Sequence, residues 1–281
     1  MVKTIAVLGA GTMGHGIAHA AMAAGYTTVL FDVSEGQLST ARGVVDGIVK
    51  KGVELGKVSA ANAHAMFERL TTTADLATAV AHADLVIEAA PEKIDLKLQL
   101  LGDLEQLAPA AAVIASNTSA LSITEMAAVL QNPGRVGGMH FFNPVHKMKL
   151  IEIVRALETT PETIETFESV ARQMGKETVL IRESPGFITS RINAMIGNEA
   201  FYMLQESVAS AHDIDKALKL GLNHPMGPFE LVDLVGLDTR LSILQYLHRT
   251  LGEKFRPCPL LEQYVKAGRL GRKVGKGVYE Y

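Results

Sequence analysis

A doubly wound α/β sheet followed by a smaller all-α domain is predicted from three features of the 281-residue chain. Strand-like and helix-like segments alternate between residues 5 and 181, the pattern of a parallel sheet covered by helices. A glycine-rich turn, Gly9-Ala10-Gly11-Thr12-Met13-Gly14, separates the first strand from the first helix. Beyond Ser184-Pro185-Gly186 no convincing strand pattern returns. Residues 5–8 are a continuous apolar run, as in a strand buried on both faces. Residues 13–24 are Ala-rich and end at Gly25, a helix with a glycine stop. Residues 28–31 form a second strand ending in Asp32. Residues 34–70 hold two helical stretches with Lys50, Lys51 and Lys57 around their turn. Strands are expected at 83–89, 113–115, 135–139, 149–154 and 178–181, and helices at 92–107 and 161–174. The helical tail reads as 187–208, 213–220, 229–247 and 260–267. The domains are therefore expected at 1–184 and 185–281.

Composition excludes several classes. Apolar residues make up 48% and charged residues 20%, as in a globular chain with a sizeable core. A net charge of -3 argues against nucleic acid held by a general basic field. No apolar run approaches the ~20 residues of a membrane span. Val2 to Leu8 already reads as a folded strand, so no signal peptide is expected. The single cysteine, Cys258, cannot form an internal disulfide. A cytoplasmic enzyme is the expectation, with no membrane and no nucleic-acid partner.

The glycine turn has a physical reading. Gly9 permits the tight turn off the strand, Gly11 lets backbone approach a pyrophosphate, and Gly14 allows close helix packing. The helix N-terminus offers unpaired N–H groups to phosphate, and Thr12 and Met13 line the cofactor or the core. With an acid at the end of the next strand, this is a Rossmann-type dinucleotide site. Asp32 should accept from the adenosine ribose hydroxyls and repel a 2′-phosphate. Like unit charges ~4 Å apart cost about 4 kcal/mol at an effective dielectric of 20. No Arg follows Asp32 before Arg42, so NAD is favoured over NADP. His15 and His19 share a helical face, but no third ligand matches them and no metal is expected.

Chemistry is expected at His140-Phe141-Phe142-Asn143-Pro144, with Glu152 on the next strand. A His beside a carboxylate is a base suited to neutral pH. His140 would take the proton of a substrate hydroxyl while hydride leaves the same carbon, and Glu152 would orient the ring and stabilise the imidazolium. The bland alternatives are a buried structural histidine and an edge-strand glutamate. Ser119 offers a donor to the developing carbonyl oxygen, or a helix N-cap, or both. Asn143 is placed for the nicotinamide end, or is a turn residue before Pro144.

The whole chain resembles the 3-hydroxyacyl-CoA dehydrogenases, most closely the bacterial 3-hydroxybutyryl-CoA dehydrogenases. The resemblance rests on Gly9 to Gly14, Ser116-Asn117-Thr118-Ser119, His140 to Pro144, Leu150-Ile151-Glu152, Ser184-Pro185-Gly186-Phe187, His224-Pro225-Met226-Gly227-Pro228 and Gly271-Arg272-Lys273. It implies reversible oxidation of an L-3-hydroxyacyl-CoA, with the catalytic His and Glu at His140 and Glu152 and a substrate contact at Ser119. It implies NAD contacts at Asp32, Glu92, Lys97, Asn143 and Lys273, and a homodimer formed through the helical domain. One departure stands out. In Gly186-Phe187-Ile188-Thr189-Ser190-Arg191, Ser190 occupies a place where many members have a substrate-positioning Asn. A hydroxyl cannot repeat both amide contacts. The Lys50, Lys51, Lys57 cluster is a local cation source for the CoA phosphates. The rival expectations are a related Rossmann dehydrogenase of a free hydroxy or sugar acid, and a non-catalytic, crystallin-like NAD-binding protein.

Overall fold

In the computed structural model, which describes residues 1–281, the chain divides into two units, Met1–Glu183 and Ser184–Tyr281. The first unit begins β1 (Thr4–Leu8), α1 (Gly14–Ala23), β2 (Thr27–Phe31), α2 (Glu35–Glu54), α3 (Ala60–Glu68), β3 (Leu70–Thr73) and α4 (Leu76–Val80). It continues with β4 (Leu85–Glu88), α5 (Ile94–Leu107), β5 (Val113–Ser116), α6 (Ile123–Ala127), β6 (Val136–Phe141), β7 (Leu150–Arg155), α7 (Pro161–Gln173) and β8 (Glu177–Arg182).

These strands form one sheet in the order β3-β2-β1-β4-β5-β6-β7-β8. All neighbours are parallel except β6 and β7. The first six positions follow the doubly wound dinucleotide-binding order. Ile5, Val7, Leu85 and Ile87 are fully buried at its centre, with Ile17, Ala18, Ala21 and Met22 of α1 packed among the same core. The small residues of α1 let its axis lie close to the sheet, and each fully buried Ile or Leu contributes about 1.5–3 kcal/mol.

Two elements, β3 and α4, were not expected. Leu70-Thr71-Thr72-Thr73 has one large apolar residue and no two-residue alternation, so its strand character comes from backbone pairing with β2 at the sheet edge. α4 is a five-residue helix capped by Asp75, too short to show periodicity. The long excursion otherwise becomes α2 and α3, each started by a serine cap, Ser34 and Ser59. Glu152 is not on an edge strand. β7 lies inside the sheet because β8 pairs with its far side.

The second unit is α8 (Thr189–Gln205), α9 (Ala211–Gly221), α10 (Pro228–Val235), α11 (Leu237–Leu251) and α12 (Pro259–Lys266). The single helix expected over 229–247 is broken at Gly236, whose φ of 106° no helix accommodates. Phe201, Phe229, Leu244, Leu247 and Phe255 form its core, and Phe201 meets Phe229 edge-on at 5.2 Å. Buried Asp215 and Asp233 fasten the C-terminal tail. Asp233 accepts from Val278 N at 2.8 Å and Tyr279 N at 2.9 Å, and Asp215 accepts from the Tyr279 hydroxyl at 2.7 Å. No helix of the chain is long and apolar enough to cross a membrane.

Candidate functional site

The carboxyl ends of β1, β4, β5 and β6 share one edge of the sheet, where ligands of such folds bind. The glycine turn follows β1. Gly9 has φ 103°, and a Cβ on Gly14 would stand 1.6 Å from the Gly9 carbonyl oxygen, so neither position tolerates a side chain. Gly11 differs: a Cβ there would meet no protein atom within 4 Å. Open space above Gly11 is what an approaching pyrophosphate needs. The first turn of α1 carries no acid and no side-chain cap, so its N–H groups and positive dipole end remain available to an anion. Thr12 is exposed at the turn and Met13 packs against the core. Asp32 closes the cradle, accepting from Ala10 N at 2.8 Å and from Ser34 N at 3.0 Å. These residues fit a dinucleotide.

His140 and Glu152 are directly opposite each other in the antiparallel β6–β7 pair. Opposite residues project on the same face at close range, which is why two residues twelve apart meet. His140 Nδ1 lies 2.7 Å from Glu152 Oε2. Glu152 is 0% exposed and His140 7%. A carboxylate that accepts from Nδ1–H sets the tautomer and leaves Nε2 as the ring nitrogen not bound to Glu152. The Phe142 ring stands 4.6 Å from the imidazole. Asn117, after β5, accepts from Phe141 N at 2.8 Å and ties the two strand ends together. Asn143 is exposed in the loop beyond.

A second network joins the ends of β4 and β5. Glu88 is fully buried and accepts from Lys97 Nζ at 2.6 Å, Ser116 Oγ at 2.5 Å and Ala90 N at 2.7 Å. Lys97 is 1% exposed, buried with its partner. It also lies 3.5 Å from Glu92. Glu92 Oε1 in turn accepts from Thr118 Oγ1 at 2.6 Å, Ser119 N at 2.9 Å and Ser119 Oγ at 3.1 Å. Ser119 therefore sits at the end of a relay, and the N-cap of α6 is Ser122 instead. No motif of the chain marks Glu88, and Ser116 enters only as the first residue of the Ser116-Asn117-Thr118-Ser119 stretch. A charge closing the otherwise apolar Leu85-Val86-Ile87-Glu88 was the available signal, because a buried carboxylate demands partners.

Lys50 pairs with Asp46 at 2.5 Å, and Lys51 with Glu54 at 3.0 Å. Both lie in the last turns of α2 rather than in the turn beyond it. Lys51 and Lys57 line a cleft of ≈ 760 Å³ in the first unit; Lys50 lies outside that lining. In the second unit, Ser190 is half-buried in the first turn of α8. Lys273 Nζ donates to both Asp238 carboxylate oxygens at 2.6 Å.

Comparison with known proteins agrees with this geometry. The family described as 3-hydroxyacyl-CoA dehydrogenase, NAD binding domain, matches residues 4–184, and the C-terminal domain of the same family matches residues 186–281. A Bacillus subtilis protein named "Probable 3-hydroxybutyryl-CoA dehydrogenase" is 44% identical over 281 residues, covering 100% of this chain and 98% of its own. A 3-hydroxybutyryl-CoA dehydrogenase of Bradyrhizobium diazoefficiens is 43% identical, covering 100% of this chain and 96% of its own. The crystal structure of an (S)-3-hydroxybutyryl-CoA dehydrogenase from Ralstonia eutropha superposes with a TM-score of 0.96 at 39% identity, covering 100% and 99% of the two chains. With residues 4–184 and 186–281 matched, the chain belongs to the NAD-dependent 3-hydroxyacyl-CoA dehydrogenase family.

Proposed function

We propose that the chain interconverts L-3-hydroxybutyryl-CoA and acetoacetyl-CoA, with His140 as the base and Glu152 as its brace. The observation that supports this most is the buried 2.7 Å pair at the cofactor edge of the sheet. In oxidation, His140 Nε2 removes the proton from the 3-hydroxyl, and Glu152 stabilises the resulting imidazolium. NAD, when bound, accepts the hydride released from the same carbon. Gly9, Gly11, Gly14 and the start of α1 hold the pyrophosphate, and Asp32 holds the adenosine ribose. Glu92 and Asn143 reach the nicotinamide end, with Lys97 acting by fixing Glu92 from below. Ser119 donates to the carbonyl oxygen. Its 3.1 Å bond is the longest of the three on Glu92 Oε1 and the easiest to exchange for a substrate contact. On the family resemblance, we assign Ser190 to substrate and Lys273 to cofactor.

Steady-state reduction of acetoacetyl-CoA tests the reading. Higher kcat/KM with NADH than with NADPH is expected, and Asp32→Ala should narrow that preference by one to two orders of magnitude, since it removes a repulsion of about 4 kcal/mol at most. A wild-type preference for NADPH, or no turnover of the thioester, refutes the assignment.

The assembly we propose is a homodimer formed through the helical unit. Ile188 (50% exposed), Ile192 (55%) and Met195 (40%) form one apolar stripe at the start of α8, where an isolated chain would leave them in water. Ile192→Asp should convert a dimer to a monomer in sedimentation velocity; a monomeric wild type contradicts the proposal. A buried, unpaired Cys258 is compatible with the reducing cytoplasm, where we place the protein.

A further inference from the structure

We infer that His19 and His146 make the cleft beside α2 a proton-coupled phosphate site, which takes up a proton as it binds the phosphorylated nucleotide end of an acyl-CoA. This rests on acyl-CoA being the substrate; what it adds is a pair of histidines with no role in the chemistry at His140.

The cleft has an apolar wall, Val44, Ile48, Val49 and Val58 among it, and a rim of His19, His146, Lys147, Lys51 and Lys57. No carboxylate belongs to this lining. Its basic groups are His19 of α1, Lys51 of α2 with Lys57 just after it, and His146 and Lys147 between β6 and β7. His15 of α1 and Lys176, just before β8, lie outside the lining but act electrostatically on both rings. The nearby acids are already engaged: Asp46 with Lys50, Glu54 with Lys51, and Glu68 of α3 with His64. Lys176 is held by two carbonyls, Val145 O at 2.5 Å and Met148 O at 2.8 Å, which leaves its charge without a counterion. No group of three or more His, Cys, Asp and Glu here could hold a metal ion.

The two imidazoles stand edge to face, 6.3 Å between ring centres. His19 Nδ1 is buried and has no hydrogen-bond partner. A buried ring nitrogen without a partner, in a cleft lined by lysines and by no carboxylate, is the arrangement an anionic acceptor would complete. Burial, followed by His146, Lys176 and His15, lowers the His19 pKa to about 4, and burial with Lys147, Lys176 and His15 lowers that of His146. Burial favours the neutral form of both rings, and the neighbouring cations add to it; a phosphate dianion offsets the cations and adds an attraction of its own for the charged form. Binding raises the pKa, so a proton is absorbed at any pH between the free and bound values. Affinity then tightens as pH falls through that window, by at most tenfold per pH unit per proton, until the phosphate monoester takes up its own second proton at pH ~6.

The test compares acetoacetyl-CoA with acetoacetyl-pantetheine, which lacks every phosphate, between pH 5.5 and 8.5. In the wild-type protein the ratio of the two KM values (pantetheine over CoA) should rise about 3- to 10-fold toward the acid end; in His19→Gln and in the exposed His146→Gln the rise should shrink or vanish. A ratio independent of pH in the wild type, or an undiminished rise in both variants, overturns the inference. Nuclear magnetic resonance of the His19 ring gives a second measure without mutation: its pKa should climb on saturation with coenzyme A, and an unchanged value counts against the site. Inorganic pyrophosphate as competitor separates the sources. Competition that strengthens at low pH assigns recognition to phosphate alone; none, with the CoA slope intact, assigns it to nucleotide-borne phosphate. The underlying reading is judged separately. Lys51→Ala/Lys57→Ala should raise the KM for acetoacetyl-CoA at every pH, and failure there displaces the substrate from this cleft whatever the histidines do.

Discussion

His140→Gln should lower kcat for acetoacetyl-CoA reduction by about 10²–10⁴-fold, with NADH affinity retained. Glutamine is close to histidine in size and can still donate to Glu152, so the buried carboxylate is not stranded. It cannot accept or deliver a proton in the relevant range. The loss corresponds to about 3–5.5 kcal/mol of barrier, the contribution expected of one well-placed general base. NADH fluorescence titration reports cofactor binding, for which the proposed pyrophosphate and ribose contacts (the turn after β1, the start of α1 and Asp32 after β2) include no residue of the β6–β7 pair. Turnover within a few-fold of wild type would remove His140 from the mechanism.

Lys97→Met should destabilise the first unit by about 3–5 kcal/mol, because it leaves Glu88 buried with no cation. Ser116 Oγ and Ala90 N still donate to the carboxylate, but neither carries charge. The double variant Lys97→Met/Glu88→Gln should recover most of the loss, since it removes both charges together and keeps an acceptor for Ser116. Urea unfolding followed by circular dichroism measures each step. The single variant should also raise KM for NADH, as Glu92 loses the ammonium beside it. Equal destabilisation of the single and double variants would mean that packing of the long side chain, and not the ion pair, stabilises the region.

Legibility in the sequence follows the range of the interaction. β1, α1 and β2 were readable because each is local: an apolar run, a glycine turn, an Ala-rich helix and a closing Asp32. The break at Gly236 was written in the chain as well, but the apolar spacing on either side continued through it and masked a φ that only the folded backbone displays. β3 could not be read, since three threonines after one leucine become a strand only when β2 offers them hydrogen bonds. Lys50 and Lys51 look equivalent in the chain, and each pairs with an acid of α2, but the turn of the helix puts only Lys51 in the cleft lining.

Residue identity along the chain was sufficient to expect the dinucleotide turn and an NAD preference from Asp32, while His140 was preferred among nine histidines by its position beyond a strand end. Those choices depend on backbone freedom and charge, which belong to single residues and their neighbours. Tertiary structure alone decided that Glu152 is interior, that Glu88 and Lys97 neutralise each other beneath Glu92 and Ser119, and that His19 meets His146 across a basic cleft. Burial and pairing are properties of chain segments brought together by the sheet, and the energy of a charge is set by what the fold places beside it.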